Sequence, residues 1–146
     1  MKNWWALLEI LFVIGVSVGF YFYSVSYEPY VETEDNYVVR VIDGDSFELG
    51  NGEFVRLICV DAPEEGEGGY FEAREFLKEL VFERVVRLEK DVSEVDDYGR
   101  LLRYVYVEGS EGEIFVNREL VRAGHARVYP FEPDIRLCEE ISGGGG

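Results

Sequence analysis

Residues 38–64 read VVRVIDGDSFELGNGEFVRLICVDAPE, and their spacing decides the fold. Residues 37–42 are a β-branched run that ends at Asp43-Gly44-Asp45, a strong turn signal, and residues 46–49 resume the strand pattern. Gly50-Asn51-Gly52 then turns the chain into residues 54–60. The spacing predicts three consecutive antiparallel strands. In the third, the period of two places Arg56 on the face opposite Leu57 and Cys59, which turn to the core. Asp61-Ala62-Pro63-Glu64 ends that strand, because Pro63 cannot donate to a ladder and sets a turn. An ordinary half-buried hairpin carries interchangeable solvating residues on its polar face. Here Asp43, Asp45, Asp61 and Glu64 gather at strand ends with Arg56 aimed between them, which is the pattern of a metal and phosphate site.

Downstream, residues 65–69 form an acidic, glycine-rich loop, expected to be flexible. Ala73, Phe76, Leu77, Leu80 and Val81 recur at helical spacing and predict an amphipathic helix over residues 71–82, laid on the sheet. Residues 85–88, 101–107 and 114–116 read as further strands, with a polar connection over residues 91–99. Asn117 is the expected N-cap of a helix over residues 118–123 that Gly124 stops, and residues 134–141 form a short last helix. Many short strands with Gly turns and two interspersed helices predict an α+β fold, mainly β: a five-stranded OB-type Greek-key barrel with two to three helices. The barrel domain spans residues 37–141, between an acidic linker over residues 27–36 and a glycine-rich tail over residues 142–146.

The first 26 residues differ in kind. Residues 4–23 are almost continuously apolar, broken by Glu9, Ser17 and two glycines, and approach the ~20 residues that a helix needs to cross hydrocarbon. Glu9 costs ~3 kcal/mol at the bilayer centre but lies in the first third of the run. With Lys2 ahead of it, the run reads as a transmembrane helix that makes the protein a single-pass component of the cell membrane, its body extracytoplasmic. The competing reading is a signal peptide cleaved near Ser24-Val25-Ser26, which would release a secreted body.

The net charge of −16 and a sequence pI near 4.4 exclude a broad electrostatic footprint for nucleic acid, so any such role needs a local basic site. Cys59 and Cys138 permit a disulfide without requiring one, and the favoured reading keeps them apart: a buried strand thiol and an unrelated helix residue. His125 follows a helix stop with no partner in view and reads as a surface residue.

The chemistry follows from residue types. Asp45 and Asp61 are hard oxygen ligands that, with a backbone carbonyl, suit Ca²⁺ or another hard divalent cation. Arg56 and Arg100, the latter in Asp97-Tyr98-Gly99-Arg100, match phosphate bidentately. Glu64 is placed to take a proton from a water. The combination supports phosphodiester hydrolysis. In this order, VIDGDSFEL, FVRLICVDAPE, DDYGRLLRYVYV and VNRELVRAGHARV resemble the staphylococcal nuclease (thermonuclease) family over residues 38–129.

The resemblance implies an OB-type barrel and a Ca²⁺ cofactor held by Asp45, Asp61 and the carbonyl of Ala62, with Asp43 shaping the site from behind. It implies Glu64 as general base or water-positioning group, Arg56 and Arg100 on the scissile phosphate, and Tyr98 on the nucleotide. Tyr129, with Phe131 beside it, is the nearest candidate for stacking a base. The implied substrate is DNA or RNA, cut to leave 3′-phosphate ends by a monomer. Departures from the family pattern are Ser46, where Thr is usual, and an acidic rather than basic loop after Glu64. Two other readings compete: a non-catalytic OB-type module that binds nucleic acid or a protein, and a phosphodiesterase of small nucleotides.

Overall fold

A computed structural model describes residues 35–143. Three strands come first, β1 (Val38–Val41), β2 (Ser46–Leu49) and β3 (Phe54–Leu57), followed by the short β4 (Val60–Asp61). Helix α1 (Tyr70–Val81) leads to β5 (Arg87–Glu89), β6 (Leu101–Gly109) and β7 (Gly112–Phe115). Helix α2 (Val116–Arg122), β8 (Arg127–Val128) and α3 (Cys138–Ile141) complete the order. The predicted meander is present, with β1 pairing β2 and β2 pairing β3, both antiparallel. Strand β3 then pairs β6 in parallel, giving the order β1-β2-β3-β6-β5, with β7 on β6. The sheet closes because Val38 N donates to Arg84 O at 2.9 Å and Val86 N to Asn36 O at 3.0 Å, around a bridge between Tyr37 and Val85. Closure of this kind removes the open edges that a free sheet would leave. The result is the expected mainly β, OB-like α+β barrel with three helices among the described residues, but its sheet has six strands rather than the expected five, and β4 and β8 form a separate pair.

The barrel interior is filled by the inward residues of the strands, among them Phe47, Leu49, Val55, Leu57, Tyr104 and Val105. Helix α1 covers it with Ala73, Leu77 and Val81 fully buried and Phe76 and Leu80 partly so, the stripe its periodicity predicts. Its approach is close: a Cβ at Gly44 would lie 2.6 Å from Ala62 Cβ and 2.7 Å from Ala73 Cβ. Only glycine lets the Asp43-Gly44-Asp45 turn pass beneath the helix.

Three further expectations need correcting. The third strand does not run through residues 54–60; it breaks after Leu57, where Cys59 adopts φ 61° and redirects the chain into β4. Strand β4 pairs β8 instead, a partner that residues 127–128 gave no periodic hint of. Asn117 does not cap α2, whose N-cap is Phe115. It is fully buried, accepting from Val105 N at 2.9 Å and donating to Ile58 O at 2.9 Å, so it ties β6 to the β3–β4 corner. Last, Cys59 and Cys138 are joined in a disulfide that closes a separation of 79 residues and anchors α3 behind that corner.

The loop at residues 64–69 is folded on itself rather than loose. Glu64 N donates to Glu67 Oε2 at 2.8 Å and Glu67 N to Glu64 O at 2.9 Å. The apolar run over residues 4–23, with the linker to residue 34 and residues 144–146, lies outside the described residues. Among the described residues no helix is long and apolar enough to cross a membrane.

Candidate active site

The site is built on the corner where β2, β3 and β4 meet. Asp43 works on the turn itself: its Oδ1 accepts from Asp45 N at 3.0 Å and from Ser46 Oγ at 2.8 Å, which fixes the direction in which Asp45 leaves the turn. Ser46 thus supplies the hydroxyl that this turn needs. Asp45 is buried, and its Oδ2 accepts from Ala62 N at 2.8 Å, stitching the first turn to the Asp61-Ala62-Pro63 turn. Burial pushes its carboxyl up to about 7, against the pull of the Arg56 guanidinium beside it.

Arg56 sits where the sequence placed it, between the carboxylates. Its Nη2 lies 3.2 Å from Asp45 Oδ2 and 3.9 Å from Asp61 Oδ1. Its Nη1 donates to Leu57 O at 2.8 Å and Val60 O at 2.6 Å, the carbonyls exposed by the break between β3 and β4. A guanidinium bonded at both ends first orders the two carboxylates and the corner, and faces the adjoining cavity with what remains. On the far side, Arg127 of β8 reaches Asp61 Oδ2 with Nε at 2.7 Å and Nη2 at 2.6 Å. The sequence reading passed over Arg127. Its place depends on the β4–β8 pairing across 66 positions, for which neighbouring residues carry no signal.

Beside Arg56 opens a cavity of about 340 Å³ lined by Arg56, Arg100, Tyr98, Tyr129 and Phe131. The structure therefore gathers both predicted phosphate-binding arginines and the predicted aromatic residues on one concavity, although they come from three separate stretches of chain. Arg100 is held from behind: Nε donates to Asp96 Oδ2 at 2.7 Å, and its backbone N–H to Asp96 Oδ1 at 2.9 Å. Burial of Asp96 acts upward on its carboxyl, but these two bonds, the Arg100 charge and a further bond from Tyr98 N together outweigh it and hold the group below the ordinary carboxylate value. Among the described residues no protein group bonds the terminal nitrogens of Arg100. Tyr98, Tyr129 and Phe131 are exposed at the rim. Glu64 does not line this cavity; it is exposed on the loop that follows Pro63. His125 packs its ring on Phe76 at 4.5 Å between centroids and lines a second concavity with Asp61 and Arg127.

The donor set fits a hard cation. Asp45 and Asp61 converge on one guanidinium nitrogen, and a buried carboxylate pushed up to about 7 is one whose charge a cation would stabilise. Among the described residues no group of three or more His, Cys, Asp or Glu gathers, so further ligands would be backbone carbonyls and waters, as Ca²⁺ accepts and Zn²⁺ does not favour.

One consequence concerns pH. The folded protein keeps a proton on Asp45 that the unfolded chain has released, so this group's contribution to stability is fully present below its ordinary 3.8 and is lost as pH rises through about 7. Denaturant midpoints measured in chelator from about pH 4 to pH 8 should fall more steeply for the wild type than for Asp45→Asn, which cannot ionise. Parallel profiles would show that Asp45 titrates normally.

Comparison with known proteins places these features in context. The family model described as "Staphylococcal nuclease homologue" matches residues 54–140. The thermonuclease of Staphylococcus intermedius is 37% identical over 121 residues, covering 75% of this chain and 70% of that protein. The thermonuclease of Staphylococcus hyicus is 35% identical over 113 residues, and endonuclease YncB of Bacillus subtilis 38% over 113. The chain spans 64% and 52% of those two proteins, respectively.

Proposed function

The chain belongs to the staphylococcal nuclease homologue family, and from that premise we propose that it is a Ca²⁺-dependent nuclease that hydrolyses phosphodiester bonds of DNA or RNA outside the cytoplasm. The observation that carries the reading is the meeting of Arg56 and Arg100 on one aromatic-rimmed cavity, with Asp45 and Asp61 on the other side of Arg56. Asp45, Asp61 and the carbonyl of Ala62 would hold Ca²⁺, which when bound neutralises phosphate charge and orients a water. Asp43 keeps Asp45 in place through its bonds to the turn. Arg100 receives the phosphate on its unbonded nitrogens, where hydrogen bonds strengthen as charge builds on the equatorial oxygens. Arg56 adds its charge from the cavity wall while it holds both carboxylates toward one nitrogen. Glu64, one residue beyond Pro63, takes the proton of the attacking water. Tyr98 and Tyr129 flank the nucleotide, their faces available to a base or sugar.

An exported location, anchored by residues 1–26 or reached after their cleavage, is supported by that apolar run and by the Cys59–Cys138 bond, since disulfides persist in oxidising compartments. Extracellular Ca²⁺ is abundant enough to fill a weak site. The test is cleavage of end-labelled DNA and RNA by the full chain with Ca²⁺ and then with a chelator. We expect cleavage in Ca²⁺ and its loss to background in chelator, restored by added Ca²⁺. Retention of the oligonucleotide without cleavage would favour the binding-module reading, and cleavage that ignores the chelator would remove Ca²⁺ from the mechanism.

A further inference from the structure

Among the described residues, most positive charge is already paired with a carboxylate. The chain has 14 lysines and arginines, of which Lys2 alone lies outside the described residues. Of the other 13, 11 stand in ion pairs with Asp or Glu. The remaining two, Arg74 and Arg84, donate to backbone carbonyls. The site obeys the same rule: Arg56 pairs with Asp45 and Asp61, Arg100 with Asp96, and Arg127 with Asp61. Around them Glu64, Glu65 and Asp97 are exposed and enter no ion pair among the described residues, on a chain whose net charge is −16.

This matters because long polyanions are held largely by counterion release. Each phosphate neutralised by Lys or Arg lets condensed cations escape, so that log K falls with log salt by ~0.7 per contact on single strands and ~0.9 on duplex. An arginine paired with a carboxylate of its own chain brings that carboxylate's charge up to any phosphate it takes, whether or not the pair must open. The carboxylate then stays beside the phosphate and offsets part of the attraction. Such a contact gains little, and a surface made of such pairs offers no track along which a strand could lie. What remains is the cavity of about 340 Å³, the size of a small-ligand site, where the outer nitrogens of Arg100 are unbonded and aromatic rings flank the opening.

Resting on the nuclease reading above, we propose that the substrate class of this site is short single-stranded oligonucleotides and dinucleotide-sized phosphodiesters, gripped at one or two phosphates, and not long duplex. Recognition is by one nucleotide unit in the cavity. Chain length beyond it adds no grip.

The experiment compares kcat/KM per susceptible bond, in excess Ca²⁺, for a dinucleotide, a single strand of about twenty nucleotides and a duplex of that length, each at about 50 and about 200 mM salt. With one or two phosphate contacts, the long single strand should be favoured over the dinucleotide by less than about five-fold, and activity should fall less than about ten-fold between the two salt levels. The duplex should be the poorest of the three. Glu65→Lys, which adds an unpaired cation on the loop, should raise kcat/KM for the long strand and steepen its salt dependence while the dinucleotide rate holds. A preference of a hundred-fold or more for the long strand or duplex, with a loss of about a thousand-fold across the same salt range, overturns the inference and leaves the nuclease reading standing. A Glu65→Lys protein with unchanged length dependence overturns it too. Failure to cleave any of the three at either salt level overturns the nuclease reading, and the inference falls with it.

Discussion

Arg100→Ala should lower kcat/KM by about 10²–10³ while leaving the fold intact, the magnitude that follows removal of one preorganised donor to a developing oxyanion. The side chain is 31% exposed, and its pair with Asp96 is of the partly solvated kind worth up to about 1 kcal/mol. The backbone bond from residue 100 to Asp96 Oδ1 survives the substitution, so the turn that presents the site is kept. Arg100→Lys retains the charge but not the planar fork, and should fall between the two. Arg56→Ala is the poorer probe: it removes four contacts at once and leaves buried Asp45 without its cation. Single-turnover kinetics beside a thermal melt decide the matter. If Arg100→Ala cleaves within a few-fold of wild type, the phosphate is not held there.

Removing the disulfide should cost about 4 kcal/mol of stability. Cys59 and Cys138 are 79 positions apart, and a cross-link over a loop of that length restrains the unfolded chain by roughly this amount in the chain-entropy account. The cost also bears on the site. Cys59 lines the cavity, and its carbonyl accepts from Tyr129 N at 3.0 Å, so the bond stiffens the wall that carries one of the rim aromatics. A Cys59→Ser/Cys138→Ser protein and the reduced wild type should show the same drop in urea midpoint, with an m-value that rises as the unfolded chain, freed of the cross-link, exposes more surface. A difference under about 1 kcal/mol between oxidised and reduced protein would show that the bond contributes nothing in solution.

The candidate site was legible in unequal parts. Asp43, Asp45 and Arg56 lie on one meander whose turns are short, so their proximity follows from strand spacing, whereas Asp61 and Ala62 are brought to them by the break at Cys59. Arg100 and the aromatic residues could be suspected from their types but not located, because the parallel pairing of β3 with β6 joins Arg56 to Leu102 across 46 positions, a contact without a local signature. Arg127 was invisible for the same reason. Glu64 remains outside the cavity in the structure although its motif set it beside Asp61.

What the amino-acid sequence determined by itself was everything that repeats over a few residues. The three-stranded meander and the buried stripe of α1 arise from the period of two, the period of 3.6 and glycine-containing turns. Tertiary structure decided what depends on distant partners. Asn117 has the form of a helix cap, yet three buried polar groups outcompete that role by offering it bonds that water cannot supply. Cys59 and Cys138 pair because the break at residue 59 and the placement of α3 bring their Cα atoms to 5.3 Å. Local pattern reports the face a residue turns to the core; only the closed barrel chooses which distant residue it meets there.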